Sequence, residues 1–233
     1  MHDDPVLGEE TAALSGRRLT RGDLVPLSGA AARRLVDCDL AEADLSGLDL
    51  TGWHFARCNL GQADFSDTRL VGSHWQACRA PFVSFAGANL GEATFAGGDF
   101  NNSVWRRAVM TSARFVGTKL TGADFSNARA MDVRFEEVLL VSAKFAGLSL
   151  RKQTLRRVDL AGADLRNSDF RMTVFEDCSL RDAMVAGSRF AGADLRGADL
   201  GGLALADASL LRGATISRAQ AAQLLADFGL DVR

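Results

Sequence analysis

The sequence predicts a solenoid, a chain wound into a narrow tube by a short structural repeat. The first observation is a period of five: of the 36 positions taken every fifth residue from Leu35 to Leu210, 34 hold Leu, Phe, Trp, Met or Val. The second is that 30 of the 36 positions two residues earlier hold Ala, Ser, Thr, Cys, Val or Gly. Neither a helix nor a flat strand brings every fifth side chain to one face, so the chain must turn a corner within each repeat. One large and one small inward side chain per repeat then fill the tube.

The repeats also share a motif: a small residue, Asp, then Leu or Phe, then two mostly polar residues. It is clearest at residues 43–47, 63–67, 123–127, 163–167 and 193–202. This motif resembles the pentapeptide repeat family over about 180 residues. The resemblance implies an all-β solenoid, a right-handed quadrilateral β-helix of about nine coils with about 20 residues each.

Three segments are expected along the chain. Residues 1–32 are predicted to form a flexible start and a degenerate N-terminal cap, residues 33–212 the pentapeptide-repeat β-helix, and residues 213–233 a C-terminal helix and tail. The N-terminal segment is kept separate because its apolar residues keep the period of five but lie one place out of register with Leu35; they are Leu14, Leu19 and Leu24. A cap is needed at each end because an open terminal coil is a template for aggregation.

The C-terminal segment carries a helix start signal. Ser217 and Gln220 have the spacing of a capping box, and the helix is expected to run to about Phe228 and to stop at Gly229. Its apolar residues are expected to close the last coil. The resemblance further implies an end-to-end homodimer through this helix, with Leu224, Leu225 and Phe228 at the dimer seam.

Composition excludes several function classes. Lys and Arg number 27 against 29 for Asp and Glu, a formal charge of −2, which argues against a generally basic nucleic-acid-binding protein. The N-terminus lacks a signal-peptide pattern, and no stretch of 18 apolar residues occurs, so we predict a cytoplasmic protein without a membrane partner.

No motif for catalysis or for a cofactor is present. The sequence lacks a GxSxG elbow, a P-loop, an HExxH pair and a dinucleotide fingerprint, so we predict neither an enzyme nor a cofactor.

Four cysteines share one inward column and are interpreted as core filling, not as metal ligands or redox groups: Cys38, Cys58, Cys78 and Cys178. His54 and His74 lie 20 residues apart and are expected to stack outside the tube, without the third ligand that a metal site needs. The tryptophans, Trp53, Trp75 and Trp105, are interpreted as core residues.

Folding the sequence onto four faces by residue number separates its charges. The adjacent faces through Leu40 and Leu45 carry an excess of acids, and the faces through Leu50 and Leu35 carry an excess of bases. The basic excess includes a cluster formed by Arg129, Arg134, Arg151, Lys152, Arg156, Arg157 and Arg171. The alternative is that this separation of acidic and basic faces arose by chance on a solvated rod and has no function.

In size and in being almost pure repeat, the chain resembles the DNA-mimicking members of the family that bind DNA gyrase, of the loop-free mycobacterial type. These members confer fluoroquinolone resistance or self-resistance. The resemblance implies a rod that occupies the DNA-binding surface of the topoisomerase and modulates or protects it. The candidate contacts carried over by position are Asp39, Asp44, Asp64, Asp99, Asp124, Asp159, Asp164 and Asp199.

Two alternatives stay open. In the first, the chain is a non-catalytic scaffold that binds another protein along one face and has no topoisomerase target. In the second, ranked below both, the basic cluster binds nucleic acid directly. The gyrase-binding interpretation and the scaffold alternative differ in which charges matter. Imitation of DNA on gyrase needs the acidic faces, whereas the scaffold alternative does not.

Overall fold

The computed structural model describes residues 13–203, 205–226 and 229–230. Over this part of the chain the backbone forms a parallel β-solenoid, in which nine strands of one sheet stack in chain order. These strands are β1 (Ala13–Ser15), β2 (Arg34–Val36), β3 (His54–Ala56), β4 (His74–Gln76), β5 (Thr94–Ala96), β6 (Arg114–Val116), β7 (Arg134–Glu136), β8 (Thr154–Arg156) and β9 (Val174–Glu176). The other elements are β10 (Cys178–Ser179), β11 (Ala198–Asp199), helices α1 (Arg21–Leu24) and α2 (Arg218–Ala226), and 3₁₀ helices at Val25–Leu27 and Leu205–Leu211. The predicted all-β solenoid with a C-terminal helix is therefore confirmed.

Each coil has four sides, and on each side its backbone pairs with the residue 20 positions later. Strands β2 and β3 pair on one side, and single bridges mark the other three, beginning with Asp39 to Asn59, Asp44 to Asp64 and Asp49 to Arg69. The corners between the sides need left-handed backbone, which glycine adopts without strain; Gly87, for example, has a φ of 71°. Residues whose numbers differ by 20 are therefore vertical neighbours.

The large residue of each repeat lies inside the tube. Phe85 is fully buried and stacks between Phe65 and Trp105, with ring centroids 5.4 and 4.5 Å away. On the neighbouring side Phe55 and Trp75 stack at 4.0 Å. All three tryptophans are at most 1% exposed, which confirms their interpretation as core residues.

Several small sites hold hydroxyls and thiols that donate to a carbonyl of the preceding coil. The Thr173 hydroxyl donates to the Leu150 carbonyl at 2.8 Å, and the Cys78 thiol donates to the Phe55 carbonyl at 3.2 Å. A hydrogen bond with Cys78, together with burial, raises the pKa of Cys58, so this thiol stays protonated. All four cysteines are buried and free, as expected for core filling.

Both ends of the ladder depart from the 20-residue spacing. At the N-terminal end Leu14 pairs with Leu35, a spacing of 21, so the ladder begins inside the segment that was predicted to precede the β-helix. At the C-terminal end Asp194 pairs with Thr215, again 21 residues apart. The prediction of an unbroken period to Leu210 was wrong there, because a 3₁₀ helix, Leu205–Leu211, replaces the last two repeats. Residues 1–12 lie outside the described part of the chain.

His54 and His74 stack on the outer surface of β3 and β4. Their ring centroids are 4.2 Å apart, and His74 Nδ1 lies 2.6 Å from the Thr94 hydroxyl. Burial lowers the pKa of His54 from 6.5 to about 4, and the charges of His74 and Arg34 add to this effect. Burial also lowers the pKa of His74. The pair is therefore two neutral imidazoles at neutral pH.

The aromatic core column predicts that substitution by alanine lowers stability very differently at two phenylalanines three residues apart. Phe85 is fully buried, whereas Phe82 is 58% exposed at a corner. We expect Phe85→Ala to lower the free energy of unfolding by about 3–5 kcal/mol, because it leaves a cavity inside the stack. Phe82→Ala should change it by less than about 0.5 kcal/mol. Urea unfolding followed by tryptophan fluorescence measures both, and equal losses would contradict the assignment of the stack to the core.

The histidine pair predicts a pH-dependent stability. In the unfolded chain His54 takes up a proton near pH 6.5, whereas in the folded chain it does so only near pH 4. The unfolded state therefore binds more protons in this window, and stability falls as the pH is lowered from 6.5 to 4. His54→Gln should flatten this slope in urea midpoints measured across the window. A slope that His54→Gln leaves unchanged would rule out this imidazole as its source.

Candidate partner-binding surface

The eight candidate aspartates lie in two vertical columns on adjacent sides of the rod. The first column runs through successive bridges from Asp39 by way of Asp99 to Asp159, and β10 and β11 continue it to Asp199. The second contains the remaining four, Asp44, Asp64, Asp124 and Asp164. These first and second acidic columns are therefore real vertical alignments, as the 20-residue spacing predicts.

Every one of these aspartates also has a structural role at a corner. Its Oδ1 accepts a hydrogen bond from the backbone N–H two residues later: Ser66 N–H donates to Asp64 at 2.8 Å, and Ala161 N–H donates to Asp159 at 2.9 Å. The same contact occurs at the other six: Asp39, Asp44, Asp99, Asp124, Asp164 and Asp199. Such a turn explains why the repeat favours Asp at this position independently of any partner.

Four of the eight carboxylates are paired with cations. Asp164 binds Arg166 at 2.7 Å, and Asp199 binds Arg181 at 2.9 Å. The other two paired carboxylates are Asp44, which contacts Arg21 at 3.3 Å, and Asp124. The charge that these four offer to a partner is therefore largely neutralised.

Asp124 departs furthest from the predicted role of an outward contact. The residue is only 6% exposed, because Arg106 and Lys144 cover its carboxylate at 2.8 and 3.5 Å. Burial acts to raise the pKa of Asp124, but hydrogen bonds from Ser126 and Arg106 and the charge of Arg106 outweigh it and lower the pKa to about 2. Its position excludes direct contact with a partner unless the two cations move.

The other four carboxylates keep their charge available. Among the described residues no Lys or Arg forms an ion pair with Asp39, Asp64, Asp99 or Asp159. All four are half-buried at their turns. They mark the part of the acidic surface that is open to a cationic partner.

The predicted basic cluster is divided by ion pairing. Arg156 binds Glu176 and Arg171 binds Asp169, each at 2.6 Å, and Arg157 binds Glu137. The remaining members form no ion pair with a carboxylate in the described part of the chain: Arg129, Arg134, Arg151 and Lys152. Only these four present an uncompensated positive charge.

Sequence reasoning counted the charges on each face and missed this pairing. A signal was present, because an arginine two residues after a turn aspartate, the aspartate immediately before a large inward residue, folds back onto its carboxylate. This Asp-x-Arg pattern occurs at three places with contacts of 2.6–2.7 Å: Asp164 with Arg166, Asp169 with Arg171, and Asp194 with Arg196.

Helix α2 closes the C-terminal end of the tube. Its predicted capping box is present, since Ser217 N–H donates to Gln220 Oε1 at 2.6 Å and Gln220 N–H donates to Ser217 Oγ at 3.1 Å. The Gln220 side-chain amide also donates to two carbonyls of the last coil, those of Leu195 and Ala198, at 2.7 and 2.6 Å. Gln220 therefore ties the helix to the otherwise open end of the ladder.

The predicted dimer residues fall into different environments. Leu224 packs partly against the core, whereas Leu225 is 40% exposed on the helix surface. Leu230, beyond the helix, is 55% exposed. Phe228 lies outside the described residues. Leu225 and Leu230 are therefore exposed large apolar residues at the C-terminal end of the described chain.

Metal centres and membrane-spanning helices are both absent from the described ranges 13–203, 205–226 and 229–230. No three His, Cys, Asp or Glu side chains there are grouped so as to hold a metal ion. Neither helix in these ranges is long and apolar enough to cross a bilayer.

Comparison with solved structures gives matches that share the fold at low sequence identity. HetL, a pentapeptide repeat protein involved in heterocyst differentiation regulation from the cyanobacterium Nostoc sp. strain PCC 7120, is 21% identical, with a TM-score of 0.55 over 81% of this chain and 86% of HetL. A trypsin-treated variant of QnrB1, a plasmid-mediated fluoroquinolone resistance protein, is 19% identical, with a TM-score of 0.54 over 96% of this chain and 100% of that one. A search of curated proteins gave no significant match.

The family comparison is more specific. The sequence model for pentapeptide repeats matches eight copies over more than half of the chain, at residues 34–74, 85–127, 134–171 and 173–210. Up to residue 203 these ranges lie within the coils whose backbones pair at the 20-residue spacing. Period, coil geometry and family match agree, and the chain belongs to the pentapeptide repeat family.

Proposed function

We propose that this chain is a non-catalytic rod that binds DNA gyrase through its acidic columns, in place of the DNA backbone. Binding would modulate the enzyme and protect it from quinolone-like or self-made antibiotics. The observation that carries the proposal is the alignment of eight aspartates in two columns on adjacent sides of one continuous rod. The description of QnrB1 as a fluoroquinolone resistance protein supports the direction of the proposal.

The charges of the acidic columns are spaced much more widely than the phosphates of the DNA that they would replace. Coils of a parallel β-solenoid rise by about 4.8 Å, so Asp39 and Asp99, three coils apart, lie about 14 Å from each other. Duplex DNA carries a charge every ~1.7 Å, a far higher density. We therefore expect an interaction that is weaker than that of DNA and that depends on the four carboxylates without cation partners.

An asparagine at these positions removes charge and preserves the fold. The Asn89 side-chain oxygen already accepts the backbone N–H of Gly91 at 3.2 Å, the same turn that the aspartates make. Asp→Asn substitutions at Asp39, Asp64, Asp99 and Asp159 should therefore keep the corners intact. Any loss of gyrase binding in this fourfold variant would report on charge.

We expect the wild-type chain to inhibit gyrase supercoiling, or to reduce quinolone-stabilised cleavage, at micromolar concentration. The fourfold Asp→Asn variant should need a roughly tenfold or higher concentration for the same effect, because four surface charge contacts of a few tenths of a kcal/mol or more are lost. A supercoiling assay with and without quinolone measures both effects.

The matched control neutralises the opposite side of the rod, with Arg129→Gln and Arg151→Gln. This variant should act on gyrase like the wild type. If the wild-type chain neither inhibits nor protects, gyrase is not the partner. If the arginine variant loses activity and the asparagine variant keeps it, the rod is a scaffold that binds its target through the basic cluster.

We also propose that the rod pairs with a second copy through α2, with Leu225 and Leu230 in the seam. Leu225→Arg should convert the dimer to a monomer in sedimentation velocity, because a buried guanidinium without a partner is strongly unfavourable. Gln223→Arg is the control: Gln223 is exposed on the same helix but points away from Leu225, two residues along. A wild-type chain that sediments as a monomer at micromolar concentration would refute the proposal.

A further inference from the structure

The backbone ladder opens between two coils, at residues 127–134 and 146–154. On either side of this opening the ladder is intact, since Phe125 and Glu137 still donate to the following coil at 2.8 and 2.9 Å. Strands β7 and β8 keep one paired position where β6 and β7 keep three. Five backbone amides at this opening have no acceptor in the described structure, although the amides at the same positions of other coils donate to a neighbouring coil. They are the amides of Asn127, Ala130, Asp132, Ser149 and Thr154. We call this region the open corner.

The side chains account for the opening. Ala130 places a methyl group where the same column holds Met110 one coil before and Leu150 one coil after. In the following coil Leu148 and Gln153 occupy two sites that in the neighbouring coils hold small residues. Core volume is thus too small in one coil and too large in the next, so the backbones cannot keep the ladder spacing at this corner. The family match is also interrupted here, between residues 127 and 134.

A groove of about 660 Å³ lies at the open corner. This volume is within the range of sites for small organic ligands, roughly 300–1,000 Å³. Most of its lining is polar or charged: Ser112, Arg114, Asp132, Arg134, Phe135, Glu136, Lys152, Gln153, Thr154 and Arg156. The groove is therefore unsuited to an apolar ligand.

The charges of the lining are unbalanced. Arg114, Arg134 and Lys152 form no ion pair with any carboxylate in the described ranges, whereas Arg156 binds Glu176 outside the groove. Of the two acids in the lining, Glu136 lies 3.8 Å from Arg157, which is not part of the groove. Asp132 is the one lining carboxylate without such a cation. Three uncompensated cations thus meet one uncompensated anion.

We propose that the open corner is a binding site for a small phosphorylated ligand. A guanidinium group can donate two parallel hydrogen bonds to two oxygens of one phosphate, and a lysine adds a compact positive charge. The hydroxyls of Ser112 and Thr154 and the amide of Gln153 supply neutral donors in the same lining. Two of the backbone amides freed by the opening, those of Asp132 and Thr154, belong to residues of this lining, and backbone amides commonly bind anions.

This site is independent of the proposed gyrase surface. The open corner joins the side that carries Ala130 to the side that carries Phe135, while the acidic columns lie on the other two sides. The two surfaces are therefore at diagonally opposite parts of the rod. Failure of either proposal leaves the other intact.

The charge test uses pyrophosphate as the probe, titrated by calorimetry at constant ionic strength. Arg134→Gln combined with Lys152→Gln should weaken binding by about tenfold or more. Asp132→Asn should strengthen it by about threefold, because it removes a repulsive carboxylate. Arg34→Gln is the matched control, since Arg34 occupies the same column as Arg134 but pairs with both neighbouring coils through an intact ladder.

Three outcomes would overturn the proposal. The first is the absence of saturable binding by the wild type. The second is an equal effect of Arg34→Gln, which would indicate non-specific attraction to a basic surface. The third is that a single-stranded oligonucleotide displaces pyrophosphate at a lower concentration of phosphate groups than pyrophosphate itself requires for binding. This result would assign the groove to a nucleic-acid backbone.

The geometric test closes the groove without changing its charge. Ala130→Leu restores a large residue to the core column, so the amides of Asp132 and Thr154 should regain ladder bonds and become protected from hydrogen exchange. Pyrophosphate binding should then be lost. Unchanged binding by a folded Ala130→Leu protein with newly protected amides would overturn the proposal, and if this variant does not fold, the charge variants decide.

Discussion

The structure depends on the backbone ladder between successive coils. Each side of a coil contributes amides and carbonyls that pair with the next coil, for example Leu70 donating to the Asn89 carbonyl at 2.7 Å. The ladder requires a constant spacing between coils, and this spacing holds only if each coil contributes a similar inward volume. One large and one small side chain per repeat meet that requirement, so the chemistry of the surface is determined by what the core permits.

The sequence predicts the parts of the fold that repeat and fails where one coil differs from its neighbours. Ala80 and Ala130 both interrupt the large column, yet the Ala80 amide keeps its ladder bond to Asp99 at 2.7 Å. The coil after Ala80 has small residues, Gly98 and Ser103, at its small sites, whereas the coil after Ala130 has Leu148 and Gln153. The ladder opens where a small residue in the large column is followed, one coil later, by large residues at the small sites. The two departures lie about 20 residues apart in the sequence, so a count of single exceptions to the repeat does not detect their combination.

The same limit applies to the acidic surface. The positions of the aspartates follow from the period, but their available charge depends on side chains elsewhere. Asp64 and Asp124 occupy one column and make the same turn, yet only Asp124 is covered by cations, one from the same side of the preceding coil, Arg106, and one directly above it, Lys144. Face-by-face sums of formal charge therefore overstate the acidity that a partner meets.

This dual use of aspartate limits how closely such a rod can imitate a duplex. The repeat admits one turn aspartate per side of each coil, and Asn or Ser can also accept the hydrogen bond of the turn, at the longer distances of 3.5 Å at Asn59 and 3.4 Å at Ser84. The fold therefore demands an acceptor at each of these positions but no negative charge. Where a column keeps an aspartate that forms no ion pair in the described residues, as at Asp99 and Asp159, the fold alone does not account for the charge. These positions, more than the total number of acids, distinguish a surface shaped by a cationic partner from a surface that only closes its corners.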